Sequence, residues 1–205
     1  MSNPRVVVLA SGGGSNLQAL IDAVEEERIN GMIAAVVSDR PDSGAMSRAN
    51  AARIPAIGLP PEPGEARADY DRRLAGVLSA QHPDLVVLAG WMRILTEDVV
   101  AHFRVINLHP ALPGELPGTG AIERAWEEFL AGTRSRSGVM VHEVPDGAVD
   151  AGPVLAHEEV AFAADDDLEA FAGRVHAVEH RLLTGVVADI CDALHLTDSQ
   201  EVIDA

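Results

Sequence analysis

The sequence contains no lysine. All 15 of its basic residues are arginine, they face 32 acidic ones, and the formal net charge is -17. Chemistry that needs a lysine is excluded: no Schiff base, and no Walker-type phosphate loop with its lysine. The acidic balance argues against broad nucleic-acid binding, which needs cations to displace counterions from phosphates, and against anionic membrane surfaces. Any anionic ligand must therefore be held by backbone N–H groups, helix ends, Arg or His. Genome or habitat bias accounts for such a composition equally well. Cysteine is almost missing too. Cys191 stands alone, so no intrachain disulfide and no multi-cysteine zinc site can form. No apolar run approaches the ~20 residues that span a bilayer. "MSNPRVVVLA" lacks the charged and apolar regions of a secretory signal, and a cytoplasmic location is expected. Long polar tracts are absent as well. With 205 residues, 47% of them hydrophobic, one ordered domain with a sizeable core is expected.

What is present alternates. "RVVVLA" (5–10), "MIAAVVSD" (32–39), "DLVVLAG" (84–90) and "RVINL" (104–108) are apolar, β-branched runs that read as buried strands. Between them lie helical patterns. "NLQALIDAVEEE" follows the first strand, "SGAMSRANAARI" the second, and "ARADYDRRLAGVLSAQH" carries Leu74, Val77 and Leu78 on one face. Thr96 reads as an N-cap for "EDVVAHF", with Glu97 and Asp98 at the helix start. Buried strands alternating with helices predict an α/β domain: a parallel sheet covered on both faces. After residue 110 the pattern changes to a Pro/Gly loop, a helix near 121–131, strand-like "GVMVHEV" and "PVLAHEEVAF", and a helix from about 166 to 192. The last ten residues, 196–205, are expected to fray.

The first candidate site is the glycine loop in "VVVLASGGGSNLQAL". Strand, glycines and helix in that order can aim backbone N–H groups and a helix dipole at an anion, with Ser15 and Asn16 as side-chain donors. A tight strand-to-helix turn capped by Ser or Asn is the alternative. The dinucleotide fingerprint G-x-G-x-x-G fails at Leu17, although Asp39 at the end of the second strand would suit a ribose hydroxyl.

The second candidate is "VINLHPALPG". Asn107 and His109 stand two apart on a strand, so they share a face, at the strand's carboxyl end where open α/β sheets bind ligands. An amide donor beside an imidazole can stabilise an oxyanion and move a proton. Pro110 and Pro113 stiffen the chain beyond. "VPDGAVDAGPVL" then offers Asp146 and Asp150. Either one reaching His109 would orient the ring and favour its charged form. The alternative is that both aspartates serve turns.

Taken together, "VVVLASGGGSNLQALI", "DLVVLAGWMRIL", "INLHPALPGELPGTGAIERAW", "VMVHEVPDGAVDAGPV" and "RVHAVEH" resemble the phosphoribosylglycinamide formyltransferases of the folate-dependent formyltransferase superfamily, over roughly residues 5 to 190. Asn-x-His-Pro with a later Asp-x-Gly-Pro is specific to the superfamily. The SGGGSN loop and V-x-x-x-E-H point to the glycinamide ribonucleotide branch. The resemblance implies a single-domain, Rossmann-like, mostly parallel sheet with helices on both faces. It implies one catalytic domain over 1–195, with a nucleotide-binding part at about 1–107 and a folate and catalytic part at about 85–192. It also implies Asn107, His109 and Asp150 as catalytic residues. Gly14, Ser15, Asn16, His176 and Glu179 are implied to hold the ribonucleotide. Arg67, Met92, Arg93, Ile94, Leu95, Asn107, Asp146, Gly147, Ala148, Val149 and Asp150 are implied to line the folate site. His142 is implied to support them. The implied partners are two small molecules, phosphoribosylglycinamide and 10-formyltetrahydrofolate as cosubstrate, with no metal, no nucleic acid, no membrane, and a monomer or homodimer.

The sequence departs from that pattern in places. Position 176 is histidine where lysine or glutamine is expected, a histidine common near Gly120 is absent, "EEFLAGTRSRSG" is longer, and the 143–150 loop is one residue longer. Trp91 is expected in the core. The rival readings are a formyltetrahydrofolate deformylase with the same triad, a methionyl-tRNA formyltransferase without its basic C-terminal domain, a nicotinamide oxidoreductase disfavoured by Leu17, and a non-catalytic ligand-binding module.

Overall fold

A computed structural model describes residues 3–203. Seven strands form one sheet in the order β3-β2-β1-β4-β5-β6-β7. β1 (Arg5–Leu9), β2 (Met32–Ser38), β3 (Ala56–Gly58), β4 (Leu85–Leu88) and β5 (Val105–His109) run parallel. β6 (Arg136–Glu143) and β7 (Val154–Ala161) are antiparallel additions at one edge. The expected mostly parallel α/β sheet is what forms.

Both faces are covered because the central strands alternate two apolar sets. Val6 and Val8 pack with α1 (Ser15–Glu25), α2 (Gly44–Ala51), α5 (Ala121–Leu130) and α6 (Leu168–Ile203). Val7 and Leu9 pack on the other face with α3 (Arg67–Gln81) and α4 (Glu97–Val100). Leu74 and Leu78 of α3 are fully buried there and Val77 partly, as the helical spacing predicts. Each such leucine contributes about 1.5–3 kcal/mol by leaving water. Trp91 joins this second cluster.

Of two local expectations, one holds in position and the other is corrected. Thr96 is the N-cap residue of α4 as expected, but its hydroxyl makes no cap bond; its backbone N–H donates to the buried Asp71 Oδ2 at 2.7 Å. A carboxylate from α3 thus satisfies the chain entering α4. The last helix runs to Ile203 rather than ending near 192, because no glycine or proline after Gly185 interrupts it. Residues 204 and 205, at the end of the segment expected to fray, lie outside the described residues. Among the described residues no helix is long and apolar enough to cross a membrane.

The strand order reverses direction at β1 and β4. In open α/β sheets the crevice beyond the carboxyl ends of two such strands is where ligands sit. The loop after β1 is the glycine loop, and the loop after β4 carries residues 90–95.

Candidate active site

A cavity of about 340 Å³ opens at that crevice. Asn107 and His109 enter it from the end of β5, on one face as their spacing requires. Across the antiparallel β5–β6 ladder, Asn107 stands directly opposite His142. Asp150 arrives from the β6–β7 connection, and Gly152 is what lets it do so. A Cβ at Gly152 would stand 1.8 Å from the Glu143 carbonyl oxygen, so the chain can fold back on the end of β6 only with glycine there. Glu143 N–H then donates to the Pro153 carbonyl, closing the turn.

The Asp150 carboxylate is a hub. Oδ1 accepts from Asn107 Nδ2 at 3.0 Å, Oδ2 accepts from Gly118 N–H at 2.8 Å, and Oδ2 lies 3.4 Å from His109 Nδ1. Asp150 adopts φ 51°, a left-handed conformation that Asp tolerates better than most residues. Burial alone would raise its pKa. The Gly118 N–H and the nearby His109 pull the other way, and the net direction is below the usual carboxylate range. Asp146 does not reach His109; its Oδ1 accepts from Ala148 N–H and serves its own turn.

These contacts assign protons. Asn107 Nδ2 faces the Asp150 carboxylate, which only accepts, and also His142 Nε2 at 3.2 Å. Both amide hydrogens are thereby in use. His142 Nε2 must accept, which leaves its proton on Nδ1, donated to the Glu143 carbonyl at 2.8 Å. His109 Nε2 donates to the Leu116 carbonyl at 3.0 Å. That carbonyl also accepts from Arg124 Nη2, and Leu116 itself is left-handed at φ 46°. Asp150 favours the charged form of His109 as expected, but burial outweighs it. Burial pushes the His109 pKa down, and although Asp150 and the Leu116 carbonyl pull upward, the net direction is below the usual value. Asp150 still opposes the fall.

The glycine loop divides its labour. Gly14 has φ 76°, and a Cβ there would stand 2.7 Å from Ala45 Cα, so this glycine serves the backbone and its packing on α2. Gly12 and Gly13 are different. Neither needs a positive φ, and a Cβ on either would meet no protein atom within 4 Å. Among the described residues, the N–H groups of Gly12, Gly13 and Gly14 donate to no protein group. Glycines in open space beside free N–H groups form an anion cradle. The sequence marks Gly12 and Gly13 only as part of the candidate loop and does not single them out, because loop glycines look alike.

Ser15 and Asn16, at the start of α1, line the cavity with His176 and Glu179 of α6; Gly14 does not reach its wall. Glu179 is buried, and its Oε2 accepts from Asn16 Nδ2 at 3.3 Å and pairs with His176 Nδ1 at 2.8 Å. That hydrogen bond raises the His176 pKa above the usual value against the opposing effect of burial. Asn16 Oδ1 is buried and no protein group donates to it. Met92, Arg93, Ile94, Leu95 and residues 146–150 also line the cavity. Met92, Ile94 and Val149 are large apolar side chains left exposed there. Arg93 stacks over the Tyr70 ring at 4.1 Å. Arg67 is not among the lining residues; it donates to the Leu95 carbonyl at 3.3 Å. Asp39 is not among the residues lining the cavity. Among the described residues no cluster of three His, Cys, Asp or Glu side chains could hold a metal ion.

Residues 4–187 match the family model for formyl transferase. The chain belongs to that family. It is 41% identical to the phosphoribosylglycinamide formyltransferase of Schizosaccharomyces pombe, covering 90% of this chain and 96% of the relative. It is 38% identical to that of Dictyostelium discoideum, covering 87% and 93%. The crystal structure of glycinamide ribonucleotide transformylase 1 from Symbiobacterium toebii superposes with a TM-score of 0.85 at 35% identity, covering 93% of this chain and 89% of that one. The family is thus that of formyl-transferring enzymes, and Asn107, His109 and Asp150 of this member line its cavity.

Proposed function

We propose that this enzyme transfers the formyl group of 10-formyltetrahydrofolate to the amine of N1-(5-phospho-D-ribosyl)glycinamide in purine biosynthesis. The observation that carries this reading is the cavity itself. The Asn107–His109–Asp150 cluster lines one cavity together with polar Ser15, Asn16, His176 and Glu179 and with Met92, Ile94 and Val149, large apolar side chains left exposed. Ser15, which follows the glycine loop in the chain, belongs to this polar lining, and the loop's free N–H groups beside it suit the phosphate of the acceptor. Asn16 Oδ1 offers an unused acceptor to a hydroxyl or amide N–H of that substrate. The exposed apolar side chains suit the flat rings of the folate. The nucleotide part near 1–107 then borrows His176 and Glu179 from the folate and catalytic part near 85–192.

The acceptor amine attacks the formyl carbon, a C–N bond forms, and the carbonyl electrons move to oxygen. Collapse expels folate N10, which takes the proton released by the amine, directly or through water. Asn107 and His109 are the oxyanion donors. Both have their hydrogens committed at rest, so an arriving formyl oxygen replaces the Leu116 carbonyl at His109 and takes over one Asn107 N–H. Negative charge on that oxygen adds to the pull of Asp150 and favours the imidazolium as the oxyanion develops.

Deformylation followed spectroscopically tests the reading. Rapid folate turnover is expected with the nucleotide and not with water. The phosphate-free riboside should show a kcat/KM lower by about a hundredfold or more, since each charge-assisted hydrogen bond lost costs about 1.5–3 kcal/mol. Equal rates with nucleotide, riboside and water would make the protein a deformylase instead.

His176 supplies a pH dependence. Its pKa lies above the usual value, so it is cationic below that point and neutral above it. The charged and titratable groups that act on it are Glu179 and His180 on α6 and Glu123 on α5. As pH rises through the His176 pKa, the site loses a positive charge and the KM for the nucleotide increases. His176→Lys should flatten that profile, measured as KM against pH at saturating folate. A profile unchanged by the substitution would remove His176 from nucleotide binding.

A further inference from the structure

The glycine loop is held from behind by α2, and its peptide planes are set from there. The Gly12 carbonyl accepts from Ala45 N–H at 3.1 Å. The Gly13 carbonyl accepts from Arg48 Nε at 2.9 Å. Peptide groups are planar and, in this structure, trans, so a carbonyl and the N–H that follows it point in opposite directions. Fixing the Gly12 carbonyl toward α2 therefore aims the Gly13 N–H away from it, and fixing the Gly13 carbonyl aims the Gly14 N–H away. Those are two of the N–H groups without a protein partner among the described residues, and a Cβ on Gly12 or Gly13 would meet no protein atom within 4 Å.

Arg48 is itself pinned. Its Nη1 donates to Gln18 Oε1 at 3.1 Å, and Gln18 Nε2 donates to Asp22 Oδ1 at 2.8 Å. The guanidinium thus ties the loop to α1 as well as α2. Close contact leaves no slack: a Cβ on Gly44 would stand 2.7 Å from the Gly13 carbonyl oxygen. Without a donor at position 48, the Gly13 carbonyl loses the hydrogen bond that holds it toward α2, and the Gly13–Gly14 peptide can more easily turn its carbonyl, rather than its N–H, to an anion. A glycine loop has little intrinsic preference between the two.

We propose that Arg48 is a positioning residue for phosphate binding: through the Gly13 carbonyl it orients the loop N–H groups that receive the phosphate of the acceptor. This rests on the reading of the loop as the acceptor's phosphate site. Arg48 touches no reacting atom, and its effect falls on nucleotide affinity rather than on turnover. In a chain without lysine, affinity for phosphate depends on how well these N–H groups are aimed.

Steady-state kinetics of the full chain separate the possibilities. With Arg48→Gln, the KM for the nucleotide should rise roughly tenfold or more, the loss expected for one charge-assisted hydrogen bond, while kcat at saturation moves less than about twofold. The KM for the phosphate-free riboside should stay unchanged. Arg48→Lys, which keeps one N–H within reach of the Gly13 carbonyl, should recover most of the affinity. A second readout does not depend on turnover. Binding of ribose 5-phosphate to wild type should shift the Gly13 and Gly14 amide signals by NMR, and Arg48→Gln should weaken that binding by the same factor. The proposal falls if Arg48→Gln leaves the nucleotide KM within about twofold of wild type, or if it raises nucleotide and riboside KM alike, as a loss of general structure would. If wild type itself does not prefer nucleotide to riboside, the phosphate-site reading fails and this inference with it; a normal wild-type preference with a silent Arg48→Gln sinks only the role of Arg48.

Discussion

His109→Ala lowers kcat by about 10²–10⁴, the range of a lost general acid–base group, with folate binding retained. The fold should tolerate the change. His109 is buried at the end of β5, but its removal orphans none of its neighbours: the Leu116 carbonyl keeps Arg124 Nη2, and Asp150 keeps Gly118 N–H and Asn107. The ring acts chiefly in the transition state, when oxygen becomes negative, so turnover suffers more than ground-state affinity. The measurement is single-turnover formyl transfer beside a folate binding titration. Activity within about threefold of wild type would remove His109 from the mechanism.

Asp150→Asn has an effect of similar order, about 10²-fold or more, because it removes the charge that stabilises the imidazolium. The direction in pH follows from the geometry. Burial already sets the His109 pKa below the usual value, and the Asp150 carboxylate 3.4 Å from Nδ1 limits that fall. A neutral amide no longer does, so the His109 pKa drops further and the limb of kcat/KM that it governs moves to lower pH. Asparagine also presents one acceptor oxygen where the carboxylate serves Asn107 through Oδ1 and Gly118 through Oδ2. One of those donors loses its partner. NMR titration of His109 in the free enzyme reads the shift directly. An identical His109 pKa in Asp150→Asn would show that the two side chains do not communicate.

Much of this protein is legible in one dimension. The apolar runs determine the strands, since a run of Val, Leu and Ile shorter than a helix must be buried on both faces, and the helical spacing of Leu74 and Leu78 determines which side of α3 meets them. Period two on a strand was enough to place Asn107 and His109 on one face, and the missing lysine forced any phosphate onto backbone N–H groups. What the sequence could not contain is which distant groups meet. Spacing and residue type leave Asp146 and Asp150 equivalent, and only the family resemblance singles out Asp150; physically it is the fold-back at Gly152 that makes Asp150 the partner of His109 and leaves Asp146 in a turn. The pairing of Asn107 with His142 depends on the antiparallel register of β6, and hydrophobic patterning does not distinguish that register from a parallel one. The sign of the His109 shift depends on burial, a property of everything packed around it, and the aim of the glycine N–H groups depends on Arg48, remote in sequence and reached only because α2 lies against the loop. Local periodicity determines elements because it acts within a few residues; contacts between side chains from separate elements exist only once the sheet has brought those elements together.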